Sequence, residues 1–130
     1  MTALAVTVRC GDERPPTMNV CLRGGWHDHA PLTARWREAA RKAMSRKLAS
    51  ADIPSAPLVV TVKPWYPNRR SWPDLAAQMP AVKACIDGFV DAGLVPDDTE
   101  EYVRRLTFEP AGVDSWHGPA LVFVIEGLAP

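Results

Sequence analysis

The sequence predicts an α+β domain: a small mixed β-sheet with two main helices packed on one face, in the order β-α-β-α-β-β. Three observations lead there. Two stretches carry apolar residues at helical spacing. Four others read as strands, by alternation or by short apolar runs. The chain has 130 residues, of which 47% are hydrophobic, so residues 1–130 make a single domain with one core.

Ala3 to Cys10, with its run L-A-V-T-V-R-C, alternates β-branched with small or polar residues and is the first strand. Between Gly11 and Leu32, Gly, Pro, Asp and His dominate without a period, which predicts a long loop. Thr33 caps the first helix, whose stripe is Trp36, Ala40, Ala43, Met44 and Leu48. Arg35, Arg37, Arg41, Lys42 and Arg46 fall off that stripe and face water or a ligand. Leu58 to Val62 (L-V-V-T-V) has the near-continuous apolar character of a central strand. Pro64 to Pro80 holds four prolines and the Arg69-Arg70 pair, and is expected to be irregular. Pro80 starts a second helix with the stripe Val82, Ile86, Phe89 and Val90, closed by Gly93. Glu101 to Phe108 and Ala120 to Ile125 are the last two strands, with a loop between them.

Composition narrows the function. Thirteen prolines, about twice the usual share, exclude long uninterrupted helices over much of the chain. No apolar run approaches the ~18 residues of a membrane span, so no membrane partner is expected. The start, MTALAVTVRC, has no basic flank before its apolar run and does not read as a signal peptide. Cys10, Cys21 and Cys85 have neither metal-like spacing nor an even count, which points to reduced thiols and a cytoplasmic location. His27-Asp28-His29 lacks further ligands, and Cys85 sits beside the apolar stripe of the second helix as a core residue. Trp65 and Trp72 flank the basic pair, where they can stack on bases or pack.

A net charge of zero hides an asymmetry. Residues 33–70 hold nine Lys/Arg against two acids, and residues 71–101 hold seven acids against Lys83 alone. A basic half beside an acidic half suits a metal-dependent enzyme acting on a polyanion, with cations on the phosphates and carboxylates on the metal. Charge alone describes at least as well two solvated faces that attract each other. The acids are spread usefully. Asp74 precedes the second helix, Lys83 and Asp87 stand at i, i+4 on it with Asp91 continuing the line, and Asp97-Asp98 follow its end. A return of the chain brings Asp98 towards Lys83 and Asp74. Mg²⁺ is usually held by one or two carboxylates with waters and phosphate oxygens.

Several segments resemble one family. Pro15-Pro16-Thr17-Met18-Asn19 is similar to the P-P-[ST]-x-N element after the first strand of RusA-like Holliday junction resolvases, the crossover junction endodeoxyribonucleases. Pro67-Asn68-Arg69-Arg70, Asp74-Leu75-Ala76-Ala77, Lys83, Asp87-Gly88, Asp91-Ala92-Gly93-Leu94 and Pro96-Asp97-Asp98 resemble that family's basic loop, D-x-D-N box, lysine, helical Asp and terminal Asp-Asp. The likeness runs from about residue 4 to 125.

The resemblance implies a homodimer that binds four-way DNA junctions in recombination and repair and cuts them symmetrically with Mg²⁺ or Mn²⁺. Asp74, Lys83 and Asp98 would be catalytic. Asp74 and Asp98 would hold the metal, with Asp97 or Asp87 as further ligands. Arg69, Arg70, Arg37, Arg41, Arg46 and Asn19 would contact DNA. Ala76 and Ala77 depart from the pattern, since they replace the box's second Asp and its Asn. Alanine cannot ligate a metal, so either a neighbouring acid substitutes or the chain binds DNA and loses most catalysis. Two alternatives therefore stand beside the nuclease: a homodimer that binds junctions or forks without cutting, and a protein-interaction or regulatory domain on the same scaffold.

Overall fold

Alternation in the strands turns one face of a sheet towards both main helices. The computed structural model of the chain describes residues 2–11, 13–69, 75–115 and 118–128, with backbone alone at 18–29, 75 and 76. The elements are β1 (Ala3–Val8), α1 (Met18–Ser50), β2 (Leu58–Tyr66), a 3₁₀ turn (Leu75–Gln78), α2 (Met79–Ala92), β3 (Val103–Phe108), β4 (Gly112–Val113) and β5 (Ala120–Gly127). They make an α+β fold with a mixed five-stranded sheet. The strand order is β1-β5-β2-β3, and the short β4 also pairs with β2. β5 runs antiparallel to both β1 and β2, while β3 and β4 lie parallel to β2.

Val6 and Val62 both stand opposite Phe123, and Val62 also stands opposite Phe108, so these side chains share a face. That face is the core. Trp36, Ala40 and Met44 of α1 and Val82, Cys85 and Phe89 of α2 are buried in the same cluster. Phe89 meets Phe123 edge-on, with ring centroids 4.9 Å apart. Where α2 crosses α1 there is no room for a side chain on α2. A Cβ at Gly88 would stand 2.2 Å from the Arg37 carbonyl oxygen and 2.9 Å from the Ala40 Cβ. Of the predicted stripes, Trp36, Ala40, Met44, Val82, Ile86 and Phe89 are buried, and Ala43, Leu48 and Val90 are partly buried against the core.

Several expectations are corrected. Residues 18–32 are helical rather than a loop, so α1 runs for 33 residues through Pro31 and Thr33 lies inside it. Proline removes one backbone donor, and a nucleated helix survives that loss because each further residue adds its own bond. The Thr33 hydroxyl donates to the Ala30 carbonyl at 3.0 Å instead of capping an N-terminus. β1 ends at Val8, and Cys10 only bridges to Glu13. β2 continues four residues past Val62, through Pro64. The Val62 and Tyr66 carbonyls accept from Glu109 and Asp114, so Pro64, two residues from each, faces the same side. There β3 has ended and β4 has not begun, so the missing N–H is not needed. β4 itself lies in the predicted loop between the last strands. Among the described residues no helix is long and apolar enough to cross a membrane.

Candidate functional site

Two anchors fix α2, the element that carries the candidate lysine. At its start, the buried Tyr66 hydroxyl at the end of β2 donates to Gln78 Oε1 at 2.6 Å, and Gln78 is fully buried. At its end, Gly93 adopts the left-handed conformation (φ 99°), and its N–H reaches the Phe89 and Val90 carbonyls. The chain then reverses. Val95 is buried and holds the return against the core, which brings residues 97–98 back alongside α2.

The return joins three charged side chains. The Lys83 ammonium donates to Asp87 Oδ1 at 2.8 Å and also to Asp98 Oδ2. The first contact is the i, i+4 pair of α2, worth about 0.5 kcal/mol when exposed. The second links residues fifteen apart in sequence. Hydrogen bonding from Lys83 holds the Asp98 carboxyl below the usual aspartate range. The bonds to Asp87 and then Asp98 raise the Lys83 pKa. Asp97 accepts the Asp98 N–H through Oδ1 at 2.8 Å and so shapes the turn.

A cleft of about 300 Å³ opens beside this cluster, between α2 and the edge strand β3. Met79, Lys83, Ile86, Asp98, Arg104 and Arg105 line it. The β2–β3 register shifts between Leu58 and Val59, so Val103 pairs with Leu58 but Arg105 with Val59. The extra residue is Arg104, whose Nε donates to the Glu100 carbonyl at 3.1 Å. Bulges of this kind re-aim side chains. Sequence reading missed both arginines. The signal was present in the adjacent charges of E-Y-V-R-R-L-T-F, which break strand alternation.

The other expected site residues are distributed differently. Asp91 leaves the Lys83–Asp87 line and binds Arg37 of α1 through both oxygens, at 2.6 and 2.9 Å. Helix crossing at Gly88 brings that pair together. Arg41 is held by Glu38 at 2.6 and 2.9 Å. Arg37 and Arg41 therefore keep their charges, but each is already neutralised by a carboxylate. Arg46 is exposed on α1, and Arg69 is exposed after β2. Asn19 lies in α1, but its side chain is outside the described part. Asp74 and Arg70 lie outside the described residues.

No family model and no curated protein matches the chain.

For a metal ion, the described residues supply part of a donor set. No group of three or more His, Cys, Asp or Glu side chains gathers among them. Asp87 and Asp98 are hard oxygen donors that share one ammonium, and two carboxylates are within the usual protein contribution to Mg²⁺. A divalent cation at Asp98 would compete with Lys83 for the same oxygens. Cys85 is fully buried and its thiol pKa is pushed far up by desolvation, so it is a core group and not a nucleophile.

Proposed function

We propose that the chain is a RusA-like, Mg²⁺-dependent endonuclease for branched DNA, acting as a homodimer with a depleted metal site. The observation that carries this reading is the Lys83 ammonium shared by Asp87 and Asp98 at the mouth of a cleft that also holds Arg104 and Arg105. Carboxylates beside several cations match what phosphodiester cleavage needs: groups that hold a metal and groups that hold phosphate. Asp74 and Asp98 would hold Mg²⁺, which supplies an activated water and offsets charge on the phosphate. Lys83 would leave Asp98 for the scissile phosphate and stabilise the charge that develops there. Arg105 and Arg104 would bind flanking phosphates, and Arg69, Arg70 and Arg46 would hold the DNA arms.

A second reading is a homodimer that binds junctions without cutting. It is favoured by Ala76 and Ala77, which offer no donor, and by a Lys83 whose charge two carboxylates already satisfy. A fixed four-way junction incubated with Mg²⁺ or Mn²⁺ separates the two. Paired nicks that vanish in Asp98→Asn, while binding persists, support the nuclease. Tight, structure-selective binding without nicks supports the binder. Absence of any salt-sensitive DNA binding contradicts both and leaves the interaction-domain reading.

A further inference from the structure

A second charged groove lies at the other edge of the sheet, away from the Lys83 cluster. It has a volume of about 670 Å³ and runs between the edge strand β1 and helix α1. Among the described residues its walls carry four cations, Arg9, Arg35, Lys42 and Arg46, and two acids, Glu13 and Glu38. Both acids are already satisfied. Arg35 Nε donates to Glu13 at 2.9 Å, and Arg41 clamps Glu38. Arg9, Lys42 and Arg46 make no ion pair among the described residues. The described lining therefore carries more positive than negative charge, four cations against two acids, with Lys42 also close enough to Glu38 to lower its pKa.

We propose that this groove binds the sugar-phosphate backbone of a nucleic-acid arm. Its shape and chemistry select a polyanion over a small anion. Along α1 the lining runs from Arg35 to Arg46, about 16 Å at 1.5 Å per residue. One phosphate group cannot span that distance, whereas a strand with a phosphate about every 3.4 Å of axis lays several along it. Among the described residues no aromatic side chain lines the groove, which favours contact to the backbone without sequence preference. Cys10 in the wall has its pKa raised to about 11, chiefly by burial, and adds no negative charge. The inference rests on the nucleic-acid reading above and deepens it. β1 and β3 are three strand spacings apart, about 14 Å, so an arm held here is gripped well away from the cleft at Arg105. It also replaces Arg37 and Arg41, each tied to a carboxylate, with Arg9 and Lys42 as partners of Arg46.

Fluorescence anisotropy with a labelled four-way junction and a labelled linear duplex, at a series of NaCl concentrations, tests this. The variants are the triple Arg9→Gln/Lys42→Gln/Arg46→Gln, the double Lys42→Gln/Arg46→Gln, and Arg37→Gln. For the triple, the slope of log K against log[NaCl] becomes shallower by about 2 to 3, and affinity falls at least roughly tenfold on both DNAs. The double shows about two thirds of that slope change and serves if the triple fails a circular-dichroism melt. Arg37→Gln keeps the wild-type slope. A folded triple or double variant with the wild-type slope overturns the proposal, as does wild-type protein that binds neither DNA in a salt-sensitive way. Loss of slope in a protein that shows no junction preference and no nicking supports the groove and removes the resolvase reading. Nicking by a variant with unchanged slope does the reverse.

Discussion

Lys83 is the residue on which the proposed chemistry turns, because a single ammonium bridges two carboxylates from different parts of the chain. That arrangement has a pH signature. The bond from Lys83 lowers the Asp98 pKa, and the bond from Arg37 lowers that of Asp91. Carboxyls with depressed folded-state pKa values add stability above the ordinary aspartate range and lose it as pH falls through the lowered values. Lys83 has a raised pKa, so its contribution holds below the ordinary lysine value and fades as pH rises through the higher folded value. Thermal melts should accordingly be flat from about pH 5 to pH 9 and fall off below about pH 4, with a shallower acid limb in Lys83→Met. In a cleavage assay, Lys83→Met should lower the rate by about 100-fold, the cost of losing one charge-stabilising donor. Mn²⁺ titration should show that same variant binding the ion more tightly, because Asp98 no longer holds an ammonium. Weaker Mn²⁺ binding in Lys83→Met would place the ion elsewhere.

The helices show what the sequence did and did not make readable. Both apolar stripes, the Pro80 start and the Gly93 stop were legible because 3.6-residue periodicity and terminal residues act locally. The i, i+4 pair of Lys83 and Asp87 was legible for the same reason. Residues 18–32 were not, since Gly24, Gly25 and Pro31 obscure a helix sustained by propagation from its packed half. The Arg104 bulge was hidden because register depends on a partner strand. Two substitutions test how the elements hold the site. Gly88→Ala drives a methyl into the α1 backbone near Arg37 and should destabilise by about 1–3 kcal/mol, despite alanine's better helix propensity. Tyr66→Phe leaves Gln78 Oε1 buried without its donor and should cost about 1–3 kcal/mol in urea unfolding. A Gly88→Ala protein as stable as the parent would show that the helices part freely at their crossing.

Across the whole molecule, the basic and acidic halves of the chain meet rather than separate. Arg37 of the basic half binds Asp91 of the acidic half across the two helices. Among the described residues, cations outside any ion pair gather by both grooves: Arg104 and Arg105 by the Lys83 cluster at one edge, and Arg9, Lys42 and Arg46 at the other. The charge blocks thus attract each other in part, as their reading as two solvated faces expects, and the proposed polyanion contact draws on partly different cations. Salt dependence is the property that belongs to this scale. Substituting Arg104 and Arg105 together should weaken junction binding and make the salt slope shallower by about 2, one unit per lost phosphate contact.

The central claim is that Asp98 and Lys83 form the described part of a phosphodiester-cleaving site that lacks one carboxylate at Ala76. Nicking of a fixed four-way junction in Mn²⁺ by the parent chain and by Ala76→Asp tests it most directly. The account predicts slow but detectable nicking by the parent, a rate at least about tenfold higher in Ala76→Asp, and loss of that gain when Asp98→Asn is added. An Ala76→Asp protein that binds the junction as tightly as the parent yet leaves every strand intact would contradict it.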